Sequence, residues 1–425
     1  MGEVTTQPGW ATALASLLLA FVIAAGGAAA AGLLVRRPPE TKTLATKRQL
    51  TLRIEDIPVS TTVEQLQCDL ESIVERELGL KEDAVTVVYH HLVRRNHEWA
   101  CATATFSTSL PEDRLVQKLG QARDSHSYRF YAKVDGITPL YEDPKGAHVD
   151  VVAVPGLGSH AIGSWKSPKS NDVWLRDYLP GDLPNVRVLL YGYDTTLVNS
   201  NSRDSIETLG HRFLESIKEF RKSSNTDRRP VVFLGHSLGG LLIKEALVYA
   251  SSRPDDPNVN IYKACYGLLF FGVPNLGLRN EQLNSIVQGQ PNEAFVRSLV
   301  VDDDSEPSSF LNRIAAEFSR CCQGKYKVVS FFETRKSRTV QLQPDGKTLT
   351  KTGPETLMVT QKSATSTGLT AVADEDNIPL SADHMGLVKY EGRTNNEYRT
   401  VIGRLKTVVE EAKEEVPKRF LEIRT

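Results

Sequence analysis

Arg229–Tyr249 reads RPVVFLGHSLGGLLIKEALVY, and how this stretch folds decides the rest of the chain. Val231, Val232, Phe233 and Leu234 form a short apolar run of β-branched and aromatic residues, which predicts a buried strand. Beyond it, Leu241, Leu242, Ala246, Leu247 and Ala250 repeat at helical spacing. Between the two lies Gly235-His236-Ser237-Leu238-Gly239, followed by Gly240. A strand, a very tight turn and a helix put Ser237 at the apex of a strained turn, where Gly235 and Gly239 leave room. Its hydroxyl then stands above the carboxyl end of a sheet. The helix starting near Leu238 aims its N–H groups and positive dipole end at the same place. A glycine-rich turn with a capping serine would also give a bare G-x-S-x-G run. The strand before and the helix after favour an exposed nucleophile.

The segments around this stretch alternate strand and helix. Val149–Val154, Val186–Tyr191, Tyr266–Phe271 and Lys327–Phe332 are apolar runs suited to strands buried on both faces. Ile206–Phe220, Ser309–Cys322 and Thr394–Glu415 carry helical stripes. Leu357-Met358-Val359 reads as a further short strand, and Ile137–Gly146 as a boundary region. Trp165, Trp174, Leu175 and Leu179 suggest a helix and loop over the mouth of the site. Val301–Pro307 and Ser337–Pro354 are polar and unpatterned, suiting loops or a hairpin. Such alternation predicts a mostly parallel α/β sheet, with ligands beyond the carboxyl ends of its strands.

A serine hydroxyl needs a base to take its proton and a carboxylate to orient that base. His384 is the only histidine after Ser237, so it is the candidate base in the chain order serine, acid, histidine. Glu333, directly after an apolar strand, is the preferred acid, with Asp376 and Asp374 behind it in what reads as a solvated acidic loop. Asp383 adjoins the base, and neighbouring side chains in a loop usually diverge. The loop Pro155-Gly156-Leu157-Gly158 leaves another strand tip, so the N–H groups of Leu157 and Leu238 are the candidate oxyanion hole.

From about Asp150 to Tyr398 the chain resembles the serine esterase (lipase-like) domain of SERAC1-like α/β hydrolases. A similar domain heads many fungal NACHT, ankyrin and tetratricopeptide proteins. The matching pieces are VAVPGLGSH with Trp165, WLRDYLP, LPNVRVLLYGYD, RPVVFLGHSLGGLLIKEAL, GLLFFGVPNLG, VVSFFET and ADHMGLVKY. The resemblance implies Ser237 as nucleophile, His384 as base and Glu333 as acid. Two departures stand out: Pro155 replaces a histidine, and Val273-Pro274-Asn275-Leu276-Gly277 replaces T-P-H-R-G. They leave the nucleophile and base intact but point toward altered rate or substrate, or a degenerate enzyme kept as a scaffold.

The remaining chain of 425 residues adds two parts. Ala11–Val35 holds no charged residue, exceeds the roughly 20 residues that cross a bilayer, and is followed by Arg36 and Arg37. It predicts a single-pass anchor in the endoplasmic reticulum or a mitochondrial membrane, with the bulk of the chain cytosolic. A signal peptide would need a basic n-region, which is missing. Five cysteines without C-x-x-C spacing suit free thiols in a reducing compartment. Residues 48–136 run strand, helix, strand, strand, helix, strand, the order of a ferredoxin-like α+β domain. Phe106, Tyr128, Phe130 and Tyr131 there read as packing aromatics, and with a net charge of -1 no nucleic acid is expected. His90, His91 and His97 have no metal-ligand pattern around them.

The reading is therefore an anchor over 1–37, a linker over 38–47, a small ferredoxin-like domain over 48–136 and an α/β-hydrolase domain over 137–425. It predicts a membrane-anchored serine hydrolase or acyl transferase acting on lipid or other acyl esters, with no cofactor or metal. The small domain would be a spacer or a contact for a protein partner. A degenerate hydrolase serving as a membrane adaptor is the rival.

Overall fold

Strand composition and helix faces build two main sheets among the described residues of the computed structural model. It describes residues 47–421 except 79–84, 122–126, 159, 171, 253–258, 302–305, 347 and 370–373. The expected anchor, Ala11–Val35, and most of the linker lie outside the described residues. Among the described residues no helix is long and apolar enough to cross a membrane.

The first part contains β1 (Arg48–Pro58), α1 (Val63–Leu78), β2 (Thr86–Arg94), β3 (Trp99–Thr108), α2 (Glu112–Gly120) and β4 (Arg129–Tyr131). Its four strands form an antiparallel sheet in the order β2-β3-β1-β4. One face buries Leu52, Ile54, Ala102, Ala104 and Phe106 with Leu66 and Leu70 of α1 and Leu115 and Leu119 of α2. Tyr128 and Phe130 join that core, and Arg53 lies over the Tyr131 ring. The other face carries Arg53, which donates to Asp135 O (2.6 Å) and Thr138 Oγ1 (3.2 Å). Thr138 belongs to β5 (Gly136–Glu142). His91 stacks on Tyr141 of the same strand, and His97 Nε2 pairs with Asn225 Nδ2. Both faces of the small sheet are thus covered by protein.

The second sheet has seven strands, from β5 through β6 (Val149–Val154), β7 (Val186–Gly192), β8 (Val231–His236), β9 (Cys265–Phe271), β10 (Lys327–Glu333) and β15 (Asn377–Leu380). Their spatial order is β15-β10-β9-β8-β6-β7-β5. All pairs are parallel except β5 with β7. Strand β8, which leads into Ser237, is central, and this is an α/β-hydrolase-like fold. Of the stretch read as a boundary region, residues 137–142 lie in the edge strand β5, which carries an irregularity between Pro139 and Tyr141.

Side chains alternate between two helical layers. Val152, Val154, Phe233, Leu268 and Phe270 face α5 (Ile206–Ser223), α6 (Leu238–Ser251) and α10 (Ser309–Cys322). Val151, Ala153, Val232, Leu234, Leu269 and Phe271 face α12 (Asn396–Leu421), with Val401, Leu405, Val408 and Val409 as its apolar stripe. Burial on both faces explains why these strands read as continuous apolar runs.

Shorter helices complete the path: α3 (Trp174–Asp177), α4 (Leu179–Asp182), α7 (Val259–Ala264), α8 (Gln282–Ile286), α9 (Glu293–Arg297) and α11 (Gln361–Thr365). Trp165, Trp174, Leu175 and Leu179 do not sit over the mouth. They are fully buried on the α12 side, where Trp174 Nε1 donates to Val388 O (3.0 Å). Ser337–Thr356 folds back on itself through β11 (Ser337–Arg338) with β14 (Glu355–Thr356) and β12 (Gln341–Leu342) with β13 (Leu349–Thr350). Leu357-Met358-Val359 forms a bend, not a strand.

Candidate active site

Ser237 follows β8 with φ 51° and ψ −125°, a conformation that a residue with a side chain adopts only when its surroundings enforce it. Its N–H donates to Phe271 O (2.9 Å), and its C=O accepts from Gly240 N (3.0 Å). A Cβ at Gly239 would lie 2.2 Å from Val154 O, and one at Gly156 would lie 2.9 Å from Ser237 Cβ. The helix and the loop after β6 therefore close on Ser237 at distances only glycine allows. That loop carries Leu157, one residue beyond Gly156. Leu238 opens α6, so its N–H points out of the helix end with no acceptor within the helix.

Glu333 ends β10, and its parallel neighbour Leu380 ends β15. Thr334 N and Arg335 N both donate to Ala382 O, and Thr334 Oγ1 donates to Leu380 O (2.9 Å). These bonds tie the loop after β15 to the tip of β10 and bring His384 over Glu333. His384 Nδ1 lies 2.6 Å from Glu333 Oε2, and Glu333 Oε1 accepts from Val359 N (3.2 Å). The main chain of His384 is held as well: its N–H donates to Ser337 Oγ (3.3 Å), and its C=O accepts from His236 Nε2 (3.0 Å). The imidazole rests on Gly272, where φ is +55° and an added Cβ would lie 3.0 Å from Nδ1 and Cε1.

Ser237, His384 and Glu333 are exposed by 5, 8 and 2 %. Phe271, whose C=O holds Ser237, directly precedes the glycine beneath His384. The two side chains share one strand tip, but no hydrogen bond joins them. A carboxylate on Nδ1 keeps the hydrogen on that nitrogen and the lone pair on Nε2, the state needed to accept a proton.

Asp376 and Asp374 lie at the opposite end of the sheet. Asp376 is buried at the start of β15, and Lys327 Nζ, at the start of β10, is 2.7 Å from its Oδ2. Glu333 is the last residue of β10, about 20 Å away along the strand. The acidic run is thus not a solvated loop throughout, and Asp376 does not reach His384. Asp383 Oδ1 accepts from Gly386 N (2.7 Å) within its own turn. Pro155 O accepts from Tyr193 Oη (2.8 Å). Asn275 is buried, taking a hydrogen bond from Lys244 Nζ and donating to Ser363 O (3.0 Å) and Ala364 O (3.1 Å). These hydrogen bonds of Pro155 and Asn275 go elsewhere than to Ser237, His384 or Glu333. All five cysteines are free, and among the described residues no cluster of three or more metal-binding side chains occurs.

His236 and Gly272 lie inside the GHSLGG and GLLFFGVPNLG runs and Val359 in a short apolar run, but only the fold brings them and Ser337 around His384 and Glu333.

Residues 151–301 match the "Putative serine esterase" (DUF676) family. Protein SERAC1 of Homo sapiens is 27% identical over 241 residues, covering 49% of this chain and 36% of that protein. Protein SERAC1 of Danio rerio is 27% identical over 256 residues, covering 52% and 37%. The chain spans about a third of the length of these curated relatives. The mature lipase BlEst2 of Bacillus licheniformis aligns at 13% identity over 64% of this chain and 97% of that one, with a TM-score of 0.38. Residues 151–301 thus resemble the serine-esterase family, and about half of the chain shows distant similarity to the SERAC1 proteins.

Proposed function

We propose that this chain is a serine hydrolase of acyl esters. Ser237 Oγ attacks the acyl carbonyl and passes its proton to His384 Nε2. Glu333 holds the imidazole and balances the charge it gains. The N–H groups of Leu238 and Leu157 stabilise the oxyanion. As the tetrahedral intermediate collapses, the leaving alcohol takes the proton back from His384. Water, activated by the same nitrogen, then splits the acyl-enzyme and releases the acid. An acceptor alcohol in place of that water would give acyl transfer. The observation that carries the reading is the buried 2.6 Å contact between Glu333 and His384, at the same end of the sheet as the strained Ser237. The serine–histidine hydrogen bond forms as substrate binds, as apo sites commonly require.

Lipid or other apolar acyl esters suit the site. Leu157, Tyr193 and Val198 are partly buried around the loops at this end of the sheet. Ala11–Val35 would hold the enzyme at a membrane, with the catalytic part in the cytosol at the endoplasmic reticulum or mitochondrion. Residues 48–136 would form a ferredoxin-like module. Its sheet has one face on α1 and α2 and the other against β5, which favours a docking or spacing role over base stacking.

A fluorophosphonate probe tests the proposal. Purified protein should be labelled at Ser237, and Ser237→Ala should abolish both labelling and p-nitrophenyl ester cleavage. Folded wild-type protein that takes no label would leave the adaptor reading in its place.

A further inference from the structure

The residue before the nucleophile is buried, 1 % exposed, at the last rung of β8. Val232 and Leu234 share its face of the strand, the α12 face, and Leu387 and Val388 of the His384 loop pack into the same cluster. His236 therefore stands between the strand that ends in the nucleophile and the loop that carries the base.

Its contacts are one-sided. Nε2 lies 3.0 Å from His384 O, while Nδ1 is buried with no hydrogen-bond partner. A carbonyl oxygen can only accept, so the hydrogen is assigned to Nε2 and the lone pair to Nδ1. A protonated ring would bury a second N–H with nothing to receive it. Burial, with His384 as the next cause, accordingly pushes His236 down to about 3. The two imidazole rings lie 5.1 Å apart. A permanently charged donor here, lysine or arginine, would repel the imidazolium that forms on His384 during proton transfer. A neutral donor avoids that repulsion.

We propose that His236 is a positioning residue that fixes the base relative to the nucleophile through its single hydrogen bond to the main chain of His384. This rests on the hydrolase reading above. The bond spans two segments 148 residues apart in sequence and links the strand end preceding Ser237 to the backbone of the base. Glu333 sets the orientation of the ring; His236 sets the height of the loop above the strand tip.

Three variants test it in the full chain. In His236→Gln, the side-chain amide nitrogen reaches about where Nε2 lies and keeps the donor. His236→Met fills the space without a donor. In His236→Asn, the amide stops at the position of Nδ1 and misses the carbonyl. Two readouts apply: kcat and KM on a p-nitrophenyl ester, and hydrogen exchange of residues 381–388 by mass spectrometry. The expected result is a kcat lower by about 10- to 100-fold in H236M and H236N, with KM within about threefold. Exchange in 381–388 should rise in the same two variants. H236Q should stay near wild type in both readouts. Wild-type kcat in H236N or H236M, or a loss in H236Q as deep as in H236M, overturns the proposal. If H236M does not fold, H236N against H236Q decides. Wild-type protein that never labels at Ser237 sinks the hydrolase reading and the positioning role together. A labelled wild type with unchanged loop exchange in H236N sinks only the tether.

Discussion

The two ends of the central sheet each bury a carboxylate, and the partners of the two carboxylates differ in kind. At the amino end, Asp150 of β6 accepts from Arg187 Nε (2.9 Å) and Nη2 (2.8 Å), from Arg229 Nη1 (3.2 Å) and from Arg221. Arg187 also donates to Thr226 Oγ1 (2.7 Å), and Arg221 to Asp227 O (3.1 Å). At the carboxyl end, Glu333 accepts from Val359 N and faces His384 Nδ1. Both carboxylates are buried, and in each both oxygens are hydrogen-bonded. The partners differ: guanidinium groups are always charged, whereas imidazole has a second nitrogen that can take up a proton and give it back. A buried carboxylate marks a reactive site only when its partner has such a free end.

Glu333→Gln should give the largest change. Val359 N–H needs an acceptor, so the amide oxygen takes the place of Oε1 and the amide NH2 turns toward His384. Nδ1 must then accept, which moves the ring hydrogen to Nε2, the nitrogen that should receive the serine proton. The expected loss in kcat is about 10³- to 10⁴-fold, with the unfolding midpoint little changed. A drop below tenfold in stopped-flow acylation would place the two ends of the sheet on equal terms.

Asp150→Leu probes the opposite end. It strands three arginines, two of them buried, beneath the sheet. Breaking such a cluster costs about 3–5 kcal/mol of stability. Urea unfolding should record that loss. The fraction still folded, counted by fluorophosphonate titration, should keep wild-type kcat. If kcat per titrated site falls with stability, the amino end also shapes the reactive end.

How much was readable from sequence follows the same division between local and long-range causes. The turn at Ser237 was legible because its geometry needs glycine at fixed offsets, and His384 because no other histidine follows the serine. Glu333 was legible because an apolar run ends on it. The edge strand β5 was not, since Pro139 and an irregular register break the alternation that marks a strand. Trp165 and Trp174 sit in one-turn elements too short to show a period, so their burial against α12 left no local trace. Asp376 looked solvated beside Asp374 and Glu375, yet Lys327 and Arg404, both distant in sequence, meet it at the sheet's amino end. Val359 reaches Glu333 from a bend that nothing in its neighbours announces.

Acid should separate the two ends by a smaller margin. His236 titrates near 3 in the fold against an ordinary value of about 6.5, so the folded chain binds fewer protons between those limits. Its neutral burial is fully tolerated above pH 6.5, and stability falls as pH drops below that, by at most about 1.4 kcal/mol per unit. Burial works against the Asp150 anion, but Arg187 and Arg221, then Arg229, outweigh it and hold the carboxyl below its usual range. The contribution of Asp150 is therefore intact above about pH 4 and is lost only below it. Urea unfolding of wild type and His236→Gln from pH 8 to pH 4.5 should give parallel curves above pH 7. They should then diverge by about 2 kcal/mol at pH 5, with the glutamine variant the less acid-sensitive. Curves that stay parallel to pH 4.5 would mean that His236 takes a proton without leaving its place, and that the carboxyl end tolerates charge as the amino end does.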